Sequence, residues 1–420
     1  MAIRFRYIDK PVVLAVLICL IVFYSGLCKT PSRYPFISLI SKDKVTGITG
    51  TILSSPVKSN SGKYYTSLLS AIETSTSKGE KSSSKGRIIV YIPSEIVESF
   101  YPGKLYSKAK AKGAYLFEAG GIYSFSGKFT KNGFVSSACN FCSWQNTITG
   151  KIDFFRALCR LQIKRLMYGW GEAGGLLLAL LCGSKEYTNE ETSNAFRNAG
   201  LSHILALSGM HLSMFSALAI FFGKKAGQKK LTFIIRIIAL ILFVWFAGFS
   251  PSLLRAFICA MLTIVASMSG SEQTDRISIL CFSFLFQCVI SPSDINNIGF
   301  MLSYGALAGI IIFSRISGFI YFKLFPKPIA ASLSASTGAQ IFTAPISIKF
   351  FGIYSPIGII ATTVISPLIT IFIYSGLMLM IISLIFPIFQ KPSGFFINLQ
   401  YTVIKYSVLA FSHMPIVQIK

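Results

Sequence analysis

Acidic side chains are scarce in this chain of 420 residues: 15 Asp and Glu stand against 40 Lys and Arg, a formal net charge of +25. The long apolar runs carry almost none, with Glu272, Asp275 and Asp294 falling at their edges. Proton-coupled transporters use carboxylates at membrane depth. Their scarcity speaks against that mechanism, whereas a path for a polyphosphate must avoid them. No GxxxxGK[ST] phosphate loop occurs, so any driving force from nucleotide hydrolysis comes from another protein. Nine cysteines show no paired CxxC spacing of the zinc type. Cys139 and Cys142 form a single CxxC, which suits a local disulfide in an oxidising compartment better than a redox centre without a βαβ setting. Charge of either sign is sparse, 13% of residues against roughly 25% in soluble domains.

Hydrophobic residues make up 53% of the chain, and long apolar runs predict a polytopic α-helical membrane protein. Arg4, Arg6 and Lys10 precede the first run, residues 11–27. No A-x-A-like site follows, and Leu27 is too large for a lipoprotein box before Cys28. Residues 1–41 therefore read as an uncleaved anchor and linker, with the N-terminus cytoplasmic. Further candidate spans fall at 201–223, 231–249, 253–268, 277–290, 298–313, 329–348, 357–374, 377–389 and 395–411, some short enough to be half-helices. Lys224, Lys225, Lys229 and Lys230 mark a cytoplasmic connector. The basic balance follows from such topology bias in any membrane protein, and it equally favours nucleic acid or anionic lipid as partner.

Residues 42–150 differ in kind: short β-type segments at 45–53, 64–72, 87–92 and 121–129 alternate with turn signals. They predict a small extramembrane β domain on the outer side. An OB-like barrel fits the strand count, as would other small β folds. Residues 74–84 have the Ser/Lys/Gly composition of a flexible loop. Lys104, Lys108, Lys110 and Lys112 are interleaved with aromatics that include Tyr106, Tyr123 and Phe125. Cations pair with phosphates and aromatics stack on bases in single-strand grooves. The plain alternative is a strand core of aromatics with solvated lysines. Residues 151–183 follow as a basic amphipathic helix suited to the membrane interface, then an apolar stretch, 173–181, too short to span and either re-entrant or buried. The multi-span domain fills 184–420.

One stretch carries a resemblance. Residues 200–212 read Gly-Leu-Ser-His-Ile-Leu-Ala-Leu-Ser-Gly-Met-His-Leu, which resembles the signature of the ComEC competence channel family. The run from Ala247 to Ala256 is similar to that family's Gly-x-Ser-Pro-Ser-x-x-Arg-Ala element. Residues 298–304 resemble its Gly-Phe-Gln-Leu-Ser-Phe element, with Met301 in place of Gln. Gly338-Ala339-Gln340, Pro345, Phe350-Phe351-Gly352 and Ser355-Pro356 resemble its last shared block. The likeness covers about residues 170–370 in four ordered blocks. It implies passage of single-stranded DNA through the inner (cytoplasmic) membrane, with no cofactor, beside a periplasmic DNA receptor and a cytosolic helicase. Many members end in a metallo-β-lactamase-like domain built on His-x-His-x-Asp-His. With His203, His211 and His413 as its histidines, this sequence has no such cluster, and a separate nuclease is expected instead. Several copies can be needed for one pore.

The candidate path residues are His203, Ser208, Gly209, His211, Arg255 and Gln340. On a continuous helix His203 and His211 sit about 80° and about 12 Å apart, which rules out a shared metal unless the helix breaks. Ser208 and His211, at i and i+3, invite an intramembrane hydrolase or small-solute transporter reading, but no Asp or Glu between 200 and 249 is there to orient the histidine. Polar groups crowded at membrane depth face a cavity or bond a neighbouring helix, and Ser208 and Gly209 permit close packing or unwinding. Arg255 reads as an interfacial anchor or a phosphate attractor, and Gln340 as path lining or helix glue. A remnant without transport activity is the third reading.

Overall fold

The computed structural model describes residues 10–24, 34–59, 62–100, 117–130, 133–184, 187–225, 227–248, 250–268, 276–415 and 417–418. Helix α1 (Lys10–Tyr24) comes first. The alternating segments that follow form β1 (Ile37–Ser38), β2 (Val45–Ile52), β3 (Val57–Lys58), β4 (Tyr64–Thr76), β5 (Lys81–Lys85) and β6 (Arg87–Pro93), then helix α2 (Ser94–Phe100), β7 (Gly121–Thr130) and β8 (Gly133–Trp144). β2 lies between β4 and β7, β4 also pairs with β6, β7 pairs with β8, and β8 runs parallel to β6. That last pair closes a five-stranded barrel of OB type. Period-two alternation puts Ile48, Ile52, Leu69, Val90 and Ile92 inside, each at most 1% exposed.

Two segments depart from the sequence reading. The Ser/Lys-rich stretch expected as a flexible loop folds back as the β4–β5 hairpin, with Glu73 opposite Ser83 and Ser75 opposite Lys81. Gly79, at φ +84°, makes the turn. Thr74 is fully buried because its hydroxyl bonds to Ser38 Oγ (2.9 Å) and donates to the Ser82 carbonyl (3.3 Å). Strand β8 has no counterpart among the predicted strands, since its Ser, Ala and Asn residues hide the alternation. It carries the CxxC as two free thiols, Cys139 leaning on the barrel core and Cys142 exposed, so the disulfide alternative is not formed.

Helix α3 (Ile148–Tyr168) starts where Thr147 Oγ1 accepts from the Gly150 N–H at 3.1 Å. Helix α4 (Gly171–Cys182) is buried from Ala173 to Cys182 and, at about 18 Å, is too short to span. It sits among other helices rather than against lipid. A Cβ at Gly174 would lie 1.6 Å from the Met167 carbonyl, and one at Gly175 2.1 Å from that of Tyr187, so α4 packs there as bare backbone. Then follow α5 (Glu190–Asn198), α6 (Ser202–Leu205), α7 (Gly209–Lys225), α8 (Lys229–Ala247), α9 (Pro251–Met268), α10 (Arg276–Ile290), α11 (Ile298–Leu324), α12 (Lys327–Phe351), β9 (Ile353–Tyr354), α13 (Gly358–Ile385), α14 (Gln390–Ser412) and β10 (Val417–Gln418).

The span expected at 201–223 is broken between α6 and α7, and those expected at 357–374 and 377–389 are one helix, α13. Gly376, within α13, is a packing site rather than a break: a Cβ there would sit 2.5 Å from Leu177 Cδ2 of α4. Likewise α11 and α12 meet at Gly309 and Gly338, where a Cβ on Gly309 would be 2.1 Å from the Gly338 carbonyl oxygen. Lys230–Ala247, Pro251–Met268 and Gly358–Ile385 are long and apolar enough to cross a membrane, and the bent pair Ile298–Ser314 and Ile316–Leu324 can form a fourth span. The chain is a polytopic helical membrane protein with an N-terminal β domain.

Candidate functional site

The break between α6 and α7 is written in the local sequence. Gly200 takes φ +74°, α6 lasts one turn, and Ala206 turns extended at φ −84°, ψ 135°. Ser208 then opens α7. Its backbone N–H donates to His211 Nδ1 at 3.3 Å, and its Oγ lies 3.4 Å from the same nitrogen. This is one arm of a capping box, with histidine in the place of Glu or Gln three residues on. An Nδ1 that accepts a backbone N–H puts the ring proton on Nε2. His211 is 1% exposed, and its Nε2 has no hydrogen-bond partner among the described residues.

The opening of α9 braces the break from one side. Ser252 Oγ donates to the Leu207 carbonyl at 2.9 Å. The Arg255 side chain passes over Gly209, where a Cβ would lie 3.2 Å from Nη2 and 3.4 Å from Ala256 Cβ. Arg255 Nη1 donates to the Ser303 carbonyl of α11, and the guanidinium lies 5.8 Å from the Tyr304 ring centroid. Tyr304 in turn donates to Gln287 Oε1 at 3.1 Å. Gln287 is fully buried, and its Nε2 donates to the Pro251 carbonyl (3.2 Å) and Asp294 Oδ2 (3.1 Å). From the other side, Ser355 Oγ donates to the Asn198 carbonyl at 2.9 Å, and Tyr354 donates to Gln340 Oε1 at 3.0 Å. Gly358 abuts Gly200: a Cβ on Gly200 would be 3.1 Å from Gly358 Cα. Four blocks separated in sequence thus meet around one broken helix.

A family model described as "Competence protein" matches residues 180–420. The chain belongs to the competence protein family. Among curated relatives, ComE operon protein 3 of Bacillus subtilis is 25% identical over 206 residues, 49% of this chain and 26% of its own length. Recombination protein 2 of Haemophilus influenzae is 22% identical over 237 residues, 53% of this chain and 29% of its own. Uncharacterized protein YcaI of Escherichia coli is 23% identical over 224 residues, 51% and 29%. The matched region of this competence-family chain therefore spans less than a third of each of these relatives. No solved structure matches.

The candidate residues separate into three groups. Ser208, Gly209, His211 and Arg255 come together at the break, with Gln340 half-buried beside Gly358. His203 is exposed on α6, beside exposed Ser202. Among the described residues no group of three His, Cys, Asp or Glu side chains could hold a metal. The barrel residues differ. Tyr123 and Phe125 are fully buried, packed edge-on against Phe117, so they are barrel core and not a stacking surface. Strand alternation points them inward. Lys104, Tyr106, Lys108, Lys110 and Lys112 lie outside the described residues.

The Ser208–His211 geometry bears on the hydrolase reading. A histidine whose Nδ1 accepts the cap N–H cannot also serve as base to Ser208 without breaking the cap. Ser208→Ala keeps the backbone N–H that His211 accepts and removes only the hydroxyl contact, so it is expected to cost at most about 0.5–1.5 kcal/mol of stability and less than tenfold in activity. A loss of several orders of magnitude with the protein still folded would restore the nucleophile reading.

Sequence reasoning missed a buried ionic joint. Glu118, just before β7, accepts from Lys164 Nζ at 2.7 Å, Arg160 Nε at 3.1 Å and Ser55 Oγ at 2.5 Å. Arg160 and Lys164 of α3 are 4% and 2% exposed, so these two cations do not face lipid headgroups as the amphipathic pattern suggests. Arg160 also donates to Ser184 Oγ at 3.1 Å and to the Phe246 carbonyl at the end of α8 at 2.8 Å. Burial pushes the Glu118 carboxyl up, but Arg160 and Lys164, with hydrogen bonds from Lys164 and Ser55, outweigh it and hold it at about 2. The joint ties barrel, α3 and membrane helices at one point. Its signal was present: Glu118 is the sole acidic residue between Glu98 and Asp153.

Proposed function

We propose that this chain conducts single-stranded DNA across the cytoplasmic membrane during DNA uptake, as a multi-pass protein with its barrel on the outer side. The observation that carries the reading is the convergence of four family blocks on a broken helix flanked by buried Arg255 and His211. A strand's phosphates need cations and N–H donors along their route, and a broken helix presents both. Ser202, His203 and Ser213, on either side of the break in sequence, are exposed. The barrel guides the strand. Its second and third strands, β4 and β6, form the face on which OB barrels bind oligonucleotides. On that outer face stand Tyr64, Tyr91 and Arg87, with Tyr64 beside Pro93 and Tyr91 beside Thr66 in register. Lys104, Lys108, Lys110 and Lys112, with Tyr106, are further DNA-binding candidates on sequence grounds alone. A periplasmic receptor delivers the DNA, a cytosolic helicase draws the strand in, a separate nuclease removes its complement, and more than one copy can form the pore.

The test is import of labelled duplex DNA by a strain lacking the gene. The expected result is label held outside the cytosol, with cytosolic label restored by the intact gene. Equal cytosolic label with and without the gene, in cells shown to be competent, overturns the proposal.

A further inference from the structure

Helix α7 opens beside two deeply buried side chains that the fold leaves partly unused. Arg255 is 8% exposed, and its Nε has no hydrogen-bond partner among the described residues. His211, in the first turn of α7, is 1% exposed with Nε2 likewise unpartnered. Both atoms are donors, the arginine by its chemistry and the histidine because Nδ1 accepts the Ser208 N–H. Buried polar atoms are almost always paired, so two orphaned donors at one helix end call for an acceptor. Glycine at position 209 lets Arg255 Nη2 pack close on the helix end, where a Cβ would lie 3.2 Å from it. The N-terminus of this 17-residue helix adds its own partial positive charge and unpaired N–H groups. No Asp or Glu occurs anywhere from Gly200 to Met268.

The two unpartnered side-chain atoms at this point are both donors. We infer that the α7 N-terminus, Arg255 and His211 form a seat for one phosphate oxyanion. The inference rests on the function proposed above, under which the ligand is a backbone phosphodiester of the passing strand. Arg255 is already tethered to the Ser303 carbonyl through Nη1, so the rest of its fork is fixed in place and little side-chain entropy is lost when an oxyanion binds. The seat holds one phosphate at a time and reads no base, which suits a path that passes any sequence. A lipid headgroup or free phosphate shares the same chemistry, and the experiment separates them.

The full chain in phosphatidylcholine nanodiscs is titrated with an abasic deoxyribose-phosphate oligomer over a range of salt. Without bases, stacking on the barrel contributes nothing. On single strands, log K falls with log salt by about 0.7 for each phosphate neutralised. Arg255→Gln is expected to reduce that slope by about 0.7. Gly209→Ala, whose Cβ displaces the guanidinium, is expected to reduce it in the same direction and serves alone if Arg255→Gln does not fold. An unchanged slope in folded variants overturns the seat. Direct binding of inorganic phosphate by the parent but not by Arg255→Gln, in a protein that ignores the oligomer, keeps the seat and sinks the strand reading. A difference seen only in discs containing phosphatidylglycerol assigns the site to a lipid and overturns its role on the strand.

Discussion

Glu118→Ala is expected to destabilise the full chain by roughly 3–5 kcal/mol, because it leaves two buried cations without their shared anion. Arg160 and Lys164 are each at least 96% buried, and neither can reach water without moving the barrel off α3. Glu118→Gln keeps the shape and the Ser55 contact but removes the charge, so it should fall between parent and alanine. Replacing all three by apolar residues of similar volume should recover much of the loss, since a buried ionic cluster is worth less than its disruption costs. The pH dependence has a definite sign. The carboxyl sits at about 2 in the folded chain against an ordinary 4.5, so its contribution is complete above 4.5 and is lost as pH falls toward 2. The linked stability is about 3 kcal/mol, of the same order as the mutational loss. Chemical unfolding in detergent at pH 7 and pH 3 measures both. A loss under 1 kcal/mol for Glu118→Ala would mean that water already solvates the joint. Amide exchange should also quicken at the end of α8 and in the first turn of α9, which carries Arg255, because Arg160 no longer pins the Phe246 carbonyl.

What could be read in advance followed the size of the physical signal. Apolar runs and the alternation in β2, β4, β6 and β7 are large, repetitive signals, and the helices and most of the barrel were legible from them. The β4–β5 hairpin was not, because serine and threonine satisfy the ladder with side-chain hydrogen bonds that composition does not distinguish from a solvated loop. The break at Ala206–Ser208 was foreseen only as an allowance for unwinding. What fixes it is tertiary: Ser252, Arg255 and Gly358 hold its two ends, and they come from 44 or more residues away in sequence. Gln287 escaped notice for the same reason. A single amide in an apolar run carries no pattern, yet it joins α9, α10, α11 and the turn at Asp294. The aromatics of the barrel show the opposite failure. Tyr123 and Phe125 matched a single-strand groove by composition, and only the inward phase of β7 reveals them as core.

That phase supports a sharp pair of expectations for the barrel. Phe125→Ala should cost about 3–5 kcal/mol, the usual penalty for emptying a buried phenyl site, and Tyr123→Ala a similar amount. Both rings are fully buried and stack on each other at 6.3 Å, so the losses should not add. Tyr64→Ala and Tyr91→Ala act on the other face of the sheet. Tyr64 is 37% exposed, and neither residue belongs to the barrel core, so stability should change by less than 1 kcal/mol. Their effect should fall on oligonucleotide binding, about 1–3 kcal/mol for each stacked base. An oligo(dT) titration of the full chain, paired with its unfolding curve, separates the two classes. If Tyr64→Ala and Tyr91→Ala leave binding unchanged while the chain remains folded, the strand does not cross the β4–β6 face. Phosphate contacts, such as those the lysines at 104–112 would supply, would then carry the binding.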